Sequence, residues 1–369
     1  MIRRGNRIYF KWFLLIVGVV IFFLIATLLF RTASFFKKIG VVVKEQVINK
    51  PRPNFTVALL GYGGPQHEGA YLTDTIIVGS VNYETKKAAL ISIPRDLWVK
   101  LPTISDEPFA AKINTVYQLQ LFPETFPDVN VKKYTKNDAN GLIKKVLSEV
   151  TGLTIDSYVA IDFDAFTKLI DLLGGIDINL EYGFEDKEYP VTGKENDLCG
   201  HEETELPELE KIATESMVLA FPCRYETISF EAGINHLDGE TALKFARSRH
   251  SEIDGGDFAR AKRQQMVIQA VSDKLLSPLY FPKITKIMHE LENDIKTDAS
   301  YQDITRALKQ APQANQYQLS KLILSTDNFL KPDYSDDGQY ILVPKPGLFK
   351  WEKIQLKIKQ LNQAQKKTN

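Results

Sequence analysis

The chain has 369 residues, and its 46 basic and 46 acidic side chains give a net charge of zero. Hydrophobic residues make up 44% and charged residues 25%, which is typical of a globular protein and excludes a largely disordered one. The zero balance also argues against nucleic acid as a partner, since nucleic-acid binding needs a basic surface. Arginine clusters in this chain therefore have to be interpreted locally.

An uncharged apolar run extends from Trp12 to Phe30. Its length is close to the ~20 residues that a helix needs to cross the hydrocarbon core of a membrane. Basic residues flank the run on both sides, and we predict a cytoplasmic tail (1–11), a single transmembrane helix (12–30) and a basic linker (31–53). These segments would anchor an extracytoplasmic body in the cell membrane. A cleaved signal peptide is the alternative, but the run is long for one and no small-residue cleavage site follows it.

Three strands open the globular body. An apolar run predicts the first strand at Phe55–Leu60, before a glycine-rich loop. Thr75–Val81 and Ala88–Ile93 predict a hairpin around a polar turn. Pro94 cannot donate to a β-ladder, so it ends the third strand and places Arg95 at the carboxyl edge of that strand.

Helices alternate with strands in the next segment. The predicted elements are a helix over 137–151, a strand at Tyr158–Phe163, a helix capped by Asp164 that ends at Leu173, and a strand at Ile176–Leu180. Interleaved strands and helices predict an α/β (α+β) fold, in which a mixed central sheet is flanked by helices.

The second half of the chain is divided by composition. Residues 183–230 are polar and rich in glutamate, and we predict an irregular insertion with one short helix. Two helices follow, one over 238–246 and a long amphipathic one that Asp257 caps. We place the end of the main domain (54–280) after that helix. A C-terminal extension (281–369) holds strand-like runs at Leu322–Leu324 and Tyr340–Val343 and a closing helix from Lys350.

Both cysteines, Cys199 and Cys223, lie in the insertion. In an extracytoplasmic body they could form a disulfide, which would stabilise the fold by roughly 3 kcal/mol. Two free thiols are the alternative, and the sequence leaves both open. His201 is the only histidine close to either cysteine, so the pair makes a poor zinc site.

Arginines collect at the ends of predicted strands and helices, where they suit a phosphate-rich ligand. They are Arg95, Arg247, Arg249, Arg260 and Arg263, with Gln264 following the last one. A planar guanidinium matches phosphate oxygens bidentately, and several forks on one face suit a pyrophosphate. Arg247 and Arg249 share a face if their segment is extended. Taken singly, each arginine is equally consistent with a solvated side chain or a surface ion pair.

Asp74 begins the second predicted strand. An acid among arginines suits Mg²⁺ that bridges phosphates, or a base that orients an attacking hydroxyl. A strand-start cap is the ordinary alternative for an aspartate at this position.

Together these motifs resemble the LytR-CpsA-Psr family of membrane-anchored bacterial cell-wall glycopolymer transferases. The matching stretches are Leu59–Gly61, Thr73–Thr75, Leu90–Asp96, Lys112–Asn114, Gly174–Asp177, Leu237–Leu243, Arg247–Arg249 and Asp257–Gln265. They follow the order of the family over about residues 55–280. Each stretch is unspecific alone, but the set is highly specific.

The resemblance implies transfer of a polyprenyl-pyrophosphate-linked glycopolymer to a peptidoglycan hydroxyl, with the lipid tail in an apolar tunnel. By position, it implies that Arg95, Arg247 and Arg249 bind the pyrophosphate and that Asp74 holds Mg²⁺, these four forming the catalytic set. It also implies that Arg260, Arg263 and Gln264 support the pyrophosphate.

One position departs from the family pattern. Gly63 stands where the family usually has an acid after the first strand, and His67 and Glu68 are the nearby residues that could replace it. A polyprenyl-pyrophosphate-binding protein without turnover, and a pyrophosphatase that uses water, therefore stay open as alternatives. Turnover would need Asp74 and a metal, whereas binding would need mainly the arginines.

Overall fold

The computed structural model describes residues 53–67, 69–105, 107, 109–130, 141–310 and 316–362. The predicted tail, the transmembrane helix and almost all of the linker lie outside these residues, and so does Glu68. Within the described ranges, no helix is both long and apolar enough to cross a membrane.

The elements follow one another in the order that an α+β fold requires. The strands are β1 (Asn54–Tyr62), β2 (Thr73–Asn82), β3 (Lys87–Ser92), β4 (Trp98–Leu101), β5 (Phe109–Lys112), β6 (Ser157–Asp162), β7 (Ile176–Leu180), β8 (Phe184–Pro190), β9 (Tyr225–Phe230), β10 (Gly233–Leu237), β11 (Lys296–Thr297), β12 (Gln318–Ile323), β13 (Leu330–Tyr334) and β14 (Tyr340–Pro344). The α-helices are α1 (Val116–Leu121), α2 (Gly141–Thr151), α3 (Phe163–Leu172), α4 (Leu206–Glu215), α5 (Met217–Ala220), α6 (Gly239–Arg247), α7 (Gly256–Leu275), α8 (Ile284–Glu290), α9 (Tyr301–Gln310) and α10 (Glu352–Asn362).

Among the described residues, six strands form the central sheet, in the order β11-β6-β1-β2-β3-β12. Strands β1, β2 and β3 pair antiparallel, whereas β6 joins β1 and β12 joins β3 in parallel. The predicted mixed sheet and the predicted β2–β3 hairpin are confirmed. Both edge strands, β11 and β12, come from the region after residue 280, so that region completes the sheet.

One face of the sheet packs in the main core, and the other face lines a cavity. Side chains alternate along β1: Ala58 and Leu60 are buried in the main core, which also contains Leu142 of α2 and Ile354 of α10. Val57 and Leu59, on the opposite face, line an apolar cavity beneath helices α3, α6 and α7. Apolar residues on both faces explain why β1 appears in the sequence as a continuous apolar run.

Two predicted helix caps are wrong. Helix α3 begins two residues earlier than predicted, because Asp162, not Asp164, is the N-cap and accepts a hydrogen bond from the backbone N–H of Ala165 at 2.9 Å. The long helix α7 begins at Gly256 after an N-cap at Gly255, which makes no side-chain cap. Asp257 therefore lies in the first turn, and its carboxylate pairs with arginines instead.

The prediction that residues 183–230 are irregular, with one short helix, is also wrong. Strands β8 and β9 pair antiparallel, helices α4 and α5 follow β8, and a disulfide joins Cys199 to Cys223. The register shifts between Asp186 and Tyr189, and this irregularity breaks the alternation by which a strand is recognised in a sequence. The strand is also hard to recognise because Asp186, a charged residue, occupies a buried position and is 1% exposed.

Candidate active site

A β-bulge presents Asp74. Gly61 pairs with Thr75 and Tyr62 pairs with Thr73, which leaves Asp74 as the extra residue on β2. Bulges re-aim side chains at the ends of strands. Asp74 Oδ1 accepts a hydrogen bond from Arg95 Nη1 at 2.6 Å, and its side chain is 41% exposed.

Arg95 follows the end of β3, as the sequence predicts. Its Nε lies 3.6 Å from Asp96 Oδ2, and Asp96 Oδ1 accepts from Lys112 Nζ at 2.8 Å. Burial lowers the pKa of Arg95, but the charge and hydrogen bond of Asp74, with the charges of Asp96 and Asp257, outweigh it and raise that pKa. Arg95 is therefore a permanent cation whose neighbours are acids.

Asp257 joins two further arginines to this site. Its Oδ1 lies 3.1 Å from Arg249 Nε and 3.1 Å from Arg260 Nη2. Burial lowers the pKa of Arg260; the acids Asp257 and Asp74 raise it, and the neighbouring cations lower it further. The site is thus one coupled charge cluster around the first turn of α7.

These groups surround a cleft of about 220 Å³. The polar side chains that line it are Asp74, Ser92, Arg95, Asp96, Asp257, Arg260, Gln264 and Tyr340. Arg249 reaches the cleft through its ion pair with Asp257. Within the described residues, the buried Nε of Arg95 makes no hydrogen bond and lies 3.6 Å from Asp96 Oδ2, whereas the Nε of Arg249 is paired with Asp257. Guanidinium groups collected around one cleft suit a phosphate ligand, because their planar forks match phosphate oxygens bidentately.

Arg247 lies elsewhere, at the polar end of the apolar cavity. Its guanidinium is 4.6 Å from the ring centre of Phe163, and Nη1 donates to the hydroxyl of Tyr189 at 3.3 Å. Arg247 is the last residue of α6, so the extended geometry that would align it with Arg249 does not occur. The two arginines serve neighbouring spaces instead of one face.

The apolar cavity has a volume of about 630 Å³. Strands β1, β2 and β6 form one wall, and helices α3, α6, α7, α8 and α9 form the other. Typical lining residues are Val57, Leu59, Val159, Leu243, Val267 and Ile284. Gln264 lines both the cavity and the cleft, so the two spaces meet at α7.

Arg263 lines neither space. It is 1% exposed, its Nη1 donates to the backbone carbonyl of Asp254 at 2.8 Å, and its Nη2 donates to that of Ser248. Its guanidinium lies 4.8 Å from the ring centre of Phe184. The structure therefore separates Arg263 from Arg260, its neighbour one turn away on the same helix.

Asp186 is a site residue that the sequence did not reveal. One of its oxygens accepts from Ser248 Oγ at 2.7 Å, from the N–H of Arg249 at 3.0 Å and from the N–H of His250 at 3.1 Å. Burial raises the pKa of Asp186, but these hydrogen bonds outweigh it and lower that pKa. Asp186 and Arg263, here called the loop clamp, hold residues 248–254 from two sides. The sequence holds one sign of this role: Asp186 lies two positions after Phe184, so both side chains point to the buried side of β8.

The loop after β1 offers no carboxylate at residue 63. A Cβ on Gly63 would stand 2.9 Å from the Cβ of His67, so His67 fills the space that a side chain would need. The His67 ring packs edge-on against Phe163, with centroids 5.1 Å apart. The nearest strand-end acid is Asp162, which lines the cavity and caps α3.

In the part of the chain that the structure describes, Asp197, Cys199 and Cys223 are close enough to hold a metal ion. The disulfide between the two cysteines removes both as ligands. Asp74 is a better candidate, because Mg²⁺ is commonly bound by one or two carboxylates together with substrate phosphates.

A sequence model of the LytR_cpsA_psr family matches residues 31–357. The chain is 25% identical over 261 residues to the polyisoprenyl-teichoic acid–peptidoglycan teichoic acid transferase TagV of Bacillus subtilis (strain 168), a match that covers 69% of this chain and 52% of TagV. It is 25% identical over 267 residues to the TagU transferase of Enterococcus faecalis, covering 71% and 67% of the two chains. The matched region thus spans about half the length of TagV.

The fold is similar to that of solved proteins. The crystal structure of B. subtilis TagV superposes with a TM-score of 0.56 at 22% identity, covering 85% of this chain and 98% of that one. A protein from Streptococcus agalactiae superposes with a TM-score of 0.57 at 20% identity, covering 86% and 90%.

Proposed function

The chain belongs to the LytR_cpsA_psr family, and on that premise we propose that it transfers a polyprenyl-pyrophosphate-linked glycopolymer to a hydroxyl group of peptidoglycan. The observation that carries the proposal is the junction at Gln264 between an apolar cavity and an arginine-lined cleft. A polyprenyl pyrophosphate has the matching shape, since it joins a long apolar tail to a compact anionic head. Relatives named as teichoic acid transferases support the same reaction class.

The cavity would hold the lipid tail. Its walls are aliphatic over most of their length, and each buried CH₂ group stabilises the complex by about 0.8 kcal/mol. A tail of repeating apolar units would therefore be held without specific hydrogen bonds. Arg247 is among the lining residues, and Gln264 connects the cavity to the cleft.

Different arginines would bind the two phosphates of the pyrophosphate. Arg247 would bind the phosphate that stays on the lipid, while Arg95, Arg249 and Arg260 would bind the phosphate that carries the glycan. A guanidinium has five N–H donors, so Arg95, Arg249 and Arg260 can each keep an aspartate partner and still donate to phosphate. Arg263 and Asp186 would act indirectly, because they fix the backbone on which Arg249 stands.

We propose Mg²⁺ as the cofactor, held by Asp74 together with substrate phosphates, where it would neutralise charge on the pyrophosphate. Asp74 fits this role because it is an exposed oxygen ligand beside the phosphate-binding arginines. Its ion pair with Arg95 would hold the carboxylate and the guanidinium in register before the ligand enters.

In the reaction, a sugar hydroxyl oxygen would form a new bond to the glycan-bearing phosphorus in line with the bridging oxygen. The bond to the bridging oxygen would break, polyprenyl phosphate would leave with Arg247 beside it, and the hydroxyl proton would pass to solvent. Fixed cations around a phosphoryl group stabilise the charge that develops during such a transfer.

We also propose that the body lies outside the cytoplasm, behind a single membrane helix at residues 12–30. The disulfide between Cys199 and Cys223 supports this location, since disulfides persist in oxidising compartments.

The test is a reaction of the full-length protein in detergent micelles with a short polyprenyl-pyrophosphate sugar, Mg²⁺ and a peptidoglycan fragment, analysed by mass spectrometry. We expect a phosphodiester-linked sugar–peptidoglycan product and polyprenyl phosphate. Sugar phosphate released without transfer would identify a pyrophosphatase. Bound and unchanged lipid would identify a binding protein.

A further inference from the structure

Two tyrosines stand exposed beside the cleft. Tyr334 of β13 and Tyr340 of β14 are direct cross-strand partners, and their ring centroids lie 6.2 Å apart at an interplanar angle of 82°. Tyr334 is 69% exposed and Tyr340 is 45% exposed. We call these residues the aromatic pair. Exposed aromatic rings grouped at the rim of a polar cleft are typical of ligand-binding surfaces.

The aromatic pair is fixed to the segment that carries Arg95. The N–H of Leu342, two residues after Tyr340, donates to the backbone carbonyl of Asp96 at 2.9 Å. Leu97 and Leu342 also form a parallel β-bridge, and both side chains are buried in the main core. The hairpin therefore holds its rings at a set distance from the arginine.

Tyr340 itself lines the cleft, together with Arg95, Asp96 and Asp257. Burial raises the pKa of Tyr340, and the charges of Asp96 and Asp257 raise it further. Tyr340 therefore places a partly exposed ring and a hydroxyl in the same cleft as these acids. A ligand at this place meets an apolar ring face, a hydroxyl and carboxylate acceptors.

We infer that the aromatic pair is a subsite for the sugar ring joined to the phosphate bound at Arg95. A pyranose has one face of C–H groups that packs on aromatic rings and an edge of hydroxyls that donates to carboxylates. The covalent link between sugar and phosphate places that ring next to the arginine, which is where Tyr340 stands. This inference rests on the proposed function and specifies its donor substrate.

The surroundings of the aromatic pair favour a sugar over a lipid or an apolar protein surface. Lys331 and Asp333 form an ion pair on the same hairpin, and Asp337 lies in its turn. A lipid tail would need continuous apolar surface, which these charges interrupt. The apolar cavity already supplies such a surface on the far side of α7.

The test compares two ligands on the full-length protein in detergent micelles: a polyprenyl pyrophosphate that carries a sugar, and the same lipid without the sugar. We expect Tyr340→Ala to weaken binding of the sugar-bearing lipid by about fivefold, the scale of one aromatic stacking contact, and to leave the sugar-free lipid unchanged. Tyr340→Phe keeps the ring and should retain most of the affinity. Tyr334→Ala should show a smaller loss with the same selectivity.

The matched control is Tyr182→Ala, since Tyr182 is 67% exposed and lines neither the cavity nor the cleft. An equal loss for both lipids in Tyr340→Ala would overturn the subsite, because the tyrosine would then act on the phosphate or on folding. Unchanged donor binding with a raised KM for the peptidoglycan acceptor would overturn it in favour of an acceptor site. If the wild-type protein binds both lipids equally well, the subsite is wrong but the proposed function stands. If it binds neither lipid, the proposed function is wrong as well.

Discussion

The cleft and the loop clamp use the same two chemical groups, guanidinium and carboxylate, for opposite purposes. In the cleft, Arg95 and Arg260 pair with the side chains of Asp74 and Asp257. In the loop clamp, Arg263 donates to two backbone carbonyls, and Asp186 accepts from three backbone N–H groups, two of them in the loop. Side-chain partners can be shared with an incoming phosphate, but backbone partners cannot be released without disrupting the loop. The comparison therefore separates ligand binding from support.

Arg263→Met should have the largest effect, and the effect should be on folding. Arg263 donates to two backbone carbonyls, and leaving a buried acceptor without its donor typically costs about 1–3 kcal/mol of unfolding free energy for each one. We expect that loss in urea unfolding of the purified protein, with activity lost in parallel.

Lys262→Met is the matched control, since Lys262 is the preceding residue and its side chain is 62% exposed. We expect a change within about 0.5 kcal/mol there. An Arg263→Met variant as stable as Lys262→Met would show that the loop clamp does not support the fold.

Arg95→Ala should have the next largest effect, and the effect should be on turnover. Removing one positioned donor to a developing anion commonly lowers the rate by about 10²–10³-fold. We expect a loss of this size in kcat/KM, with an unfolding free energy within about 1 kcal/mol of the wild type, as is usual for a partly exposed side chain.

Arg95→Lys keeps the charge but not the planar fork, so it should restore only part of the activity. Normal turnover in Arg95→Ala would place the pyrophosphate elsewhere. A large fall in stability would instead show that Arg95 mainly stabilises the fold, as Arg263 does.

The sequence predicts the central sheet better than it predicts which arginines share a site. The strands of the β2–β3 hairpin are apolar runs around a polar turn, so local pattern is sufficient to find them, and Pro94 places Arg95 at a strand end. Arg260 and Arg263 lie only three residues apart, yet one faces the cleft and the other the clamped loop. Helical periodicity places both arginines on one broad face of α7. Only the packing of β8, whose Phe184 contacts Arg263, determines which arginine faces the cleft.

Long-range contacts account for the other differences. Asp186 lies 62 residues before Ser248 in the chain, so no local pattern connects them. The β-bulge in β8 conceals the strand that brings them together. Asp162 and Asp164 are both suitable caps by type, and the exact start of α3 depends on where β6 ends.

Asp186→Asn should weaken the loop clamp by removing the charge of its acid. The amide can still accept some of the hydrogen bonds but loses the charge, so we expect about 1–3 kcal/mol less stability near neutral pH. The folded-state pKa of Asp186 lies below its usual value, so the stabilisation is present above the unfolded-state pKa. It is lost as the pH falls through the folded-state pKa.

The difference in unfolding free energy between wild type and Asp186→Asn should therefore shrink in acid. A difference that does not depend on pH would show that shape, rather than charge, holds the loop. Arg249 stands on that loop, so the variant should also raise the KM for the lipid donor more than it lowers kcat.

Asp74→Asn should have the smallest effect on stability and a selective effect on the metal response. Asp74 is 41% exposed in its side chain, and asparagine keeps an oxygen that can accept from Arg95. We expect the Mg²⁺ concentration for half-maximal activity to rise by at least about tenfold, the scale seen when groups around a metal site are removed. Titrating activity with Mg²⁺ at saturating donor measures this directly. An unchanged titration would assign the metal to another acid, with Asp162 and Asp257 the next to replace, and would leave Asp74 as the residue that orients Arg95.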